Sequence, residues 1–333
     1  MGEKPEISIL MSVRNGLPYV QETIQSIVFQ TFRDWEFVIV DNASSDGTVG
    51  LLEAIAASEP RIRFIRNEID LGHSGGLNKG LESCCGTWIA RIDADDVAMP
   101  TRLERQVDFL RNNPDVQVTS CFGYYIDGKG KVVGNIVHDL ITREAFQNYL
   151  DHDLAIGILH PGAMMSRELL AKIGGYRSAF DPANDIDLWG RMADAGAIIL
   201  VQPESLMKYR VHDGSISARS YSRNRLKYQW ARDCMRARRR GNPEPGWEEY
   251  VAARERAPLW KRANRWRKTS ARQLYRQSAQ NFLARRFFSA LWSILLAALL
   301  QPSYAVVRLL AQLPNRSISA EIAGIDAGVS KRR

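Results

Sequence analysis

Four short apolar runs, each ending in polar residues and each separated from the next by a helix-period stretch, constrain this 333-residue chain more than any other feature. They are Ile7-Ser8-Ile9-Leu10-Met11-Ser12-Val13 before Arg14-Asn15-Gly16, Trp35-Glu36-Phe37-Val38-Ile39-Val40 before Asp41-Asn42-Ala43-Ser44-Ser45-Asp46-Gly47, Ile62-Arg63-Phe64-Ile65 before Arg66-Asn67-Glu68, and Trp88-Ile89-Ala90-Arg91-Ile92 before Asp93-Ala94-Asp95-Asp96. Tyr19 to Gln30, Thr48 to Ala57 and Ser74 to Cys84 carry the helical period between them. The alternation predicts an α/β fold with a mostly parallel sheet flanked by helices. Right-handed crossovers put every strand's carboxyl end on one edge, so Asp41, Arg66 and Asp93 to Asp96 are expected to meet in one crevice.

The last junction holds three carboxylates in four residues. Their mutual repulsion calls for a bound cation or a strong hydrogen-bond network. Carboxylate oxygens suit Mg²⁺ or Mn²⁺, ions that keep waters and fill remaining positions with phosphate oxygens. On this tetrapeptide alone, a solvated acidic turn before a helix starting near Pro100 explains the acids equally well.

The neighbouring motifs carry a resemblance. Residues 7 to about 217 resemble a family 2 glycosyltransferase of the GT-A fold, a Rossmann-like sheet, through seven motifs in order. They are Ile9-Leu10-Met11-Ser12-Val13-Arg14-Asn15, Ser26-Ile27-Val28-Phe29-Gln30-Thr31-Phe32, Val38 to Thr48, Gly72-His73-Ser74-Gly75-Gly76-Leu77-Asn78-Lys79-Gly80, Arg91-Ile92-Asp93-Ala94-Asp95-Asp96, Asn184-Asp185-Ile186-Asp187-Leu188-Trp189, and Tyr209-Arg210-Val211-His212-Asp213-Gly214-Ser215. The resemblance implies a nucleotide-diphosphate-sugar donor held by Ser12, Arg14, Asp41, Arg66, Asn78, Arg91, Asp93 and Arg210, with Asp41 at the nucleobase and Asp93 at the ribose. It implies metal ligation by Asp95 and His212, with Arg210 and His212 reaching the diphosphate or the metal, and Ser215 and Ser217 in a segment that closes over the donor. One departure stands out: the family usually has Glu-Asp where this chain has Asn184-Asp185. A Gln-x-x-Arg-Trp segment, carried by polymerising members, is not found, which favours transfer of a single sugar.

Chemistry leads the same way. Negative charge develops on the departing β-phosphate, and a metal there acts as a Lewis acid. Asp95 is the first choice of ligand; Asp96 ligates or caps. Asp41 would accept from a nucleobase N–H, which suits uracil or thymine, although Asp41 to Gly47 is also turn and N-cap chemistry. The acceptor hydroxyl needs a base opposite the leaving group, and Asp185, opening the helical stretch Ile186 to Ala195, fits; inversion at the anomeric carbon follows from a single base and the family. Asn184 or Asp185 as a mere N-cap, with Asp187 a first-turn acid, is the alternative. His160-Pro161-Gly162 lies where the family frames the acceptor, yet a Pro-Gly turn accounts for it too. Gly72 to Gly80 could present backbone N–H groups to phosphate, but its spacing is no P-loop.

Charge divides the chain. Residues 1 to 218 hold 20 Lys and Arg against 30 Asp and Glu, whereas residues 219 to 333 hold 25 against 7, so a boundary is expected near residue 218. The second part reads as a basic helical extension. Its apolar run Phe287 to Leu300 is followed by Pro302 and a second apolar stretch to Leu313. Fourteen residues make a helix of about 21 Å against a hydrocarbon core of about 30 Å, too short to span. Arg286, Ser289, Ser293 and Ala297 lie opposite Phe288, Leu291, Leu295 and Leu299, which suits a helix lying in the interface. Peripheral contact through residues 282–313 with the cytoplasmic face of a membrane is therefore expected, near a glycan or lipid-linked acceptor; a helical hairpin packed on the protein or on a second copy stays open. Cys84, Cys85, Cys121 and Cys234 form no zinc or disulfide pattern, and Met1-Gly2-Glu3-Lys4-Pro5 has no apolar leader, so the cytoplasm is expected. Trp247, Trp260 and Trp266 among basic residues could stack on bases, but no nucleic-acid motif appears and no nucleic-acid partner is expected. Two rivals remain: a nucleotidyltransferase, which would want a richer loop than Arg14-Asn15-Gly16, and a non-catalytic binder or scaffold with a degenerate sugar-nucleotide fold.

Overall fold

The computed structural model describes residues 4–212, 221–283 and 286–303. These fall into two compact units, the first reaching Ser220 and resuming over Asn224–Glu244, the second built mainly from Pro245 onward.

The first unit opens with β1 (Ile7–Val13), α1 (Val20–Val28), β2 (Trp35–Asn42), α2 (Thr48–Ser58), β3 (Ile62–Asn67), α3 (Gly72–Leu81) and β4 (Trp88–Arg91). There follow β5 (Val97–Ala98), α4 (Arg102–Asn112), β6 (Val116–Ile126), β7 (Val132–Ile136), α5 (Arg143–Asp151), β8 (Met164–Ser166), α6 (Arg167–Lys172), α7 (Asn184–Asp194), β9 (Ile198–Arg210) and α8 (Tyr221–Arg239). Strands β3-β2-β1-β4-β8-β6-β9-β5 lie side by side in one nine-stranded sheet, with β7 paired to β6. The first four are parallel, as the alternating pattern predicts, and their near-continuous apolar sequences match burial on both faces. Beyond β4 the sheet is mixed: β8 runs antiparallel to β4 and β6, while β9 runs parallel to β6 and antiparallel to β5.

Helices lie on this sheet through apolar stripes. Val20, Ile24 and Ile27 of α1 are buried one turn apart. In α3 the contacting residues are glycines instead: a Cβ on Gly80 would lie 2.4 Å from Leu10 Cδ1 and one on Gly76 2.1 Å from Ser12 Oγ. The glycine run therefore lets α3 approach β1 and β2. Close packing accounts for two of its glycines without any phosphate cradle.

Helix α8 corrects the boundary read from charge. Trp230, Ala231, Cys234 and Met235 are buried in the first unit, with Trp230 stacked on Phe180 at 4.1 Å between ring centroids. Arg238 and Arg239 both pair with Asp194, and Arg239 and Arg240 with Asp153. Part of the basic excess thus neutralises the acidic unit, which runs through Glu244.

The second unit holds α9 (Trp247–Glu255), α10 (Leu259–Leu283) and α11 (Phe287–Leu300). Arg267, early in α10, donates to the Leu300 carbonyl at the end of α11, so the two helices run side by side in opposite directions. Ala290 and Ala297 are buried, whereas Phe287, Phe288, Leu291, Trp292, Leu295 and Leu299 are exposed, Phe288 by 89%. Among the described residues no helix is long and apolar enough to cross a membrane. Residues 304 to 313 of the expected apolar stretch lie outside the described residues.

Two glycines test this packing. A Cβ at Gly86 would meet the β1 backbone, 2.5 Å from Ser8 N and 2.7 Å from Ile7 C, whereas Gly50 on α2 faces open space. Gly86→Ala should destabilise by about 1–3 kcal/mol, and Gly50→Ala should stabilise by about 0.5–1 kcal/mol. Urea midpoints of the full chain that moved the same way in both variants would contradict the packing described.

Candidate functional site

The carboxyl ends of the parallel strands gather the polar junctions. Register alone places Asp41 beside Val13 on one side and Arg66 on the other. Asp41 is fully buried; one carboxylate oxygen accepts from the Ser44 amide at 3.0 Å and the other, Oδ1, has no protein partner. A buried acceptor left without a donor is costly, so Oδ1 is an unmet hydrogen-bond acceptor at the end of β2. Next to it, Asn42 holds Asp70 (2.7 Å) and the Gly72 carbonyl (3.1 Å) and accepts from the Leu71 amide (3.1 Å), which ties β2 to the start of α3. Arg14 pairs with Asp70 across the same opening, and Arg66 is exposed at its rim.

The β4 junction is the electrostatic centre. Arg91 is fully buried and donates to Asp93 and to the Ile92 carbonyl, with His73 Nε2 at 3.4 Å from its guanidinium. Burial opposes ionisation of Asp93, yet the adjacent Arg91 cation overcomes it and holds the acid below its ordinary range. Asp95 is pushed the other way, by burial and then by the Asp93 charge. Asp96, wholly buried, is raised well above the usual range by burial and by Asp95 and Asp93. Its Oδ1 accepts from the Arg210 amide at 2.8 Å and its Oδ2 has no partner.

From the far end of the sequence, β9 delivers His212 to this loop, its Nε2 3.0 Å from Asp95 Oδ2. A carboxylate oxygen and an imidazole are a donor set that Mg²⁺ or Mn²⁺ accepts beside phosphate and water. Among the described residues, no group of three or more His, Cys, Asp or Glu is arranged to hold a metal ion, so Asp95 and His212 are two protein ligands at most.

Asp185 approaches through α3 and α7. Asn184, buried, donates to Ser74 Oγ at 2.8 Å, and Ser74 in turn donates its hydroxyl and its amide to Asp181. The amide at position 184 therefore has a reason: the Ser74 hydroxyl proton is already given to Asp181, and a carboxylate there would face an oxygen with nothing to donate. Asp185 itself, partly exposed, accepts from the Ile186 amide at 2.8 Å. Burial raises its pKa to about 6, the Ile186 amide and its own amide lower it, and the Asp93 charge raises it further. That influence of Asp93 on Asp185, together with His73 against Arg91 and Ser74 against Asp181, joins the acids of β4 and α7 around the N-terminus of α3.

Several expected donor contacts are corrected. Both atoms of the Asn78 amide are engaged with the Tyr176 backbone, at 2.8 and 2.9 Å, so Asn78 anchors a loop. Arg91 is enclosed and acts on Asp93, its ion-pair partner. Arg210 is 2% exposed, with all three guanidinium nitrogens occupied by the Asp95 and Asp127 carbonyls and the Glu22 carboxylate. Asp187 is a first-turn acid of α7, as that alternative has it, and is buried between Arg177 and Arg191. Ser12 lies against α3 at Gly76. His160 is buried, its Nε2 2.9 Å from the Tyr176 hydroxyl, and burial with the nearby Arg91 charge keeps it neutral. Ser215 and Ser217 lie outside the described residues. Asp70, Asp181 and Glu22 were not singled out from the sequence; each is a lone acid in a loop or on a helix face, with no spacing signal.

A raised carboxyl such as Asp185 destabilises the fold where it must ionise. The folded state holds this proton up to about pH 6 and the unfolded chain only to about 3.8. Stability from this group is therefore present below pH 4 and lost as pH rises towards 6. Asp185→Asn should stabilise the chain at pH 7–8 by on the order of 1–3 kcal/mol. A wild-type minus variant difference that did not change between pH 4 and pH 7 in urea unfolding would refute this.

Comparison with known proteins follows the same lines. The family model described as Glycosyl transferase family 2 matches residues 8–174. An uncharacterised glycosyltransferase of Methanocaldococcus jannaschii is 30% identical over 236 residues, 68% of this chain and 80% of that protein. The Escherichia coli protein WfgD, named UDP-Glc:alpha-D-GlcNAc-diphosphoundecaprenol beta-1,3-glucosyltransferase, is 28% identical over 226 residues, 67% of this chain and 83% of its own. Among solved structures, the mannosyltransferase PcManGT of Pyrobaculum calidifontis, in complex with GDP-Man and Mn²⁺, superposes with a TM-score of 0.53 at 19% identity over 99% of this chain and 82% of its own, a likeness of fold.

Proposed function

The chain belongs to glycosyl transferase family 2 and is a glycosyltransferase of the GT-A fold, and from that premise we propose that it moves one sugar from a UDP- or dTDP-linked donor to an acceptor hydroxyl, with inversion, in the synthesis of a cell-surface glycan or polysaccharide. The observation that carries this reading is the meeting of Asp95 and His212, 117 residues apart in sequence and 3.0 Å apart in space, beside Asp93, whose charge acts on both Asp95 and Asp185.

Asp41 Oδ1, buried without a donor, accepts the nucleobase N–H, and Asp93, its charge secured by Arg91, accepts from the ribose hydroxyls. Ser12, Arg14 and Arg66 line the same strand ends and complete the donor side. Asp95 and His212 would hold a divalent cation, whose positive charge would offset the charge that develops on the leaving diphosphate. Asp185 Oδ1 is held by the Ile186 amide, and the carboxylate takes the proton from the acceptor hydroxyl as that oxygen attacks. A pKa of about 6 leaves it ionised at neutral pH, yet more basic than an ordinary Asp.

The acceptor is read as a glycan or lipid-linked hydroxyl, in keeping with the diphosphoundecaprenol in the name of WfgD. The second unit supports work at the cytoplasmic face of a membrane. From Arg256 to Ser303 the sequence has ten Lys and Arg and no Asp or Glu, and Trp260, Trp266 and the apolar face of α11 are exposed. A helix with an apolar face flanked by cations suits an anionic leaflet.

Asp185→Asn should bind UDP or dTDP as the parent does and lose turnover by about 10²–10⁴-fold. The parent's kcat/KM should climb with pH to a plateau above about 6. A variant turning over at the parental rate removes Asp185 from the chemistry. For the membrane, flotation with vesicles should recover the protein on phosphatidylglycerol-containing but not on pure phosphatidylcholine membranes, with recovery falling in high salt; equal recovery on both, or none on either, overturns the anionic-leaflet reading.

A further inference from the structure

Arg210 grips the acidic loop between β4 and β5 with both its backbone and its side chain. Its amide donates to Asp96 Oδ1 (2.8 Å) and its Nε to the Asp95 carbonyl (2.8 Å). The rest of the guanidinium is taken up by other elements: Nη1 donates to the Asp127 carbonyl (3.2 Å) in the β6–β7 turn, and Nη2 to Glu22 (2.6 Å) on α1. The same guanidinium lies over the Tyr19 ring, 4.5 Å from its centroid, and Tyr19 packs against the His212 imidazole at 5.1 Å between centroids. Tyr19 and Glu22 stand three residues apart and so share a helix face at the start of α1. One buried cation therefore supports both members of the Asp95–His212 pair, the first through a peptide carbonyl and the second through an aromatic ring.

We propose that Arg210 is a positioning residue that presents Asp95 and His212 to the divalent metal and makes no contact of its own with the donor's diphosphate. The inference rests on the metal reading of Asp95 and His212. Its physical content is geometric: a planar fork with fixed N–H directions can hold Asp95, Asp127 and Glu22 at once, whereas a lysine ammonium cannot reproduce that spacing. Partners that orient a ligand typically control metal affinity by about 10–100-fold.

The test uses the full chain with Arg210→Lys and Glu22→Gln. Glu22 is half exposed and touches Arg210 on the side away from the loop, so the second variant loosens the fork if the first fails to fold. Three readouts are compared with wild type: Mn²⁺ binding followed by EPR of the free ion, hydrogen exchange of the amides of residues 93–97 and 210, and affinities for UDP and UMP at saturating Mn²⁺. Positioning predicts a Mn²⁺ dissociation constant raised about 10-fold or more, faster exchange confined to those amides, and an unchanged ratio of UDP to UMP affinity. A direct diphosphate contact would instead lower UDP affinity alone and leave Mn²⁺ binding and exchange as they were, which overturns the proposal. So would variants indistinguishable from wild type in all three. Wild-type protein that binds neither Mn²⁺ nor UDP would overturn the metal and donor reading itself, and with it the role given to Arg210, whereas normal wild-type binding with unaltered variants overturns Arg210 alone.

Discussion

Clustered carboxylates held out of water are the constraint from which the rest of the first unit follows. Asp93, Asp95 and Asp96 lie within four residues at the end of β4, and like charges so close resist joint ionisation. Two arginines hold the loop: the Arg91 guanidinium pairs with Asp93, while Arg210 gives its backbone amide to Asp96 and its Nε to the Asp95 carbonyl. They act differently. Arg91 keeps its neighbour ionised, whereas Asp96 is raised far above its ordinary range, so the three acids are electrostatically unequal. A chain built only for stability would place apolar residues here; retained repulsion of this kind marks a site that works by binding charge.

The sheet explains how distant residues reach this loop. Its parallel half supplies the strand ends that carry Asp41, Arg66 and Asp93, and the N-terminus of α3 links them, with His73 turned to Arg91 and Ser74 to Asp181 and Asn184. The mixed half exists to return the chain: β9, pairing with β6 and β5, brings Arg210 and His212 back across the acids. Net charge has a similarly local meaning. Part of the basic tail is the neutralising partner of the acidic first unit, through Arg238, Arg239 and Arg240, while the acid-free α10 exposes Lys261, Arg262, Arg267 and Lys268 with Trp260 and Trp266, and α11 exposes Phe288, Trp292 and Leu299.

Much of this was legible beforehand, for identifiable reasons. Short, near-continuous apolar runs alternating with period-3.6 stretches announce parallel strands and their covering helices, and α1, α2, α3 and α7 occur close to where that pattern puts them. Ordered motifs brought Asp95 and His212 forward together, and the structure joins them. Periodicity carries no information about where a side chain's hydrogen bonds end. Asn78, Arg91 and Arg210 stood in the right motifs, yet each is enclosed by protein: by the Tyr176 backbone, by Asp93, and by Asp95, Asp127 and Glu22. The glycines of α3, whose spacing is no P-loop, serve close packing at Gly76 and Gly80.

What the sequence by itself determined is the set of elements and the edge on which their polar ends lie, because hydrophobic period and the handedness of strand crossovers act locally and admit few alternatives. Which acids ionise, why Asn rather than Glu precedes Asp185, and whether an arginine faces ligand or protein were decided only by the tertiary structure. These depend on desolvation and on partners up to 188 residues away, as for Arg210 and Glu22, and neither quantity exists until the chain has closed around them.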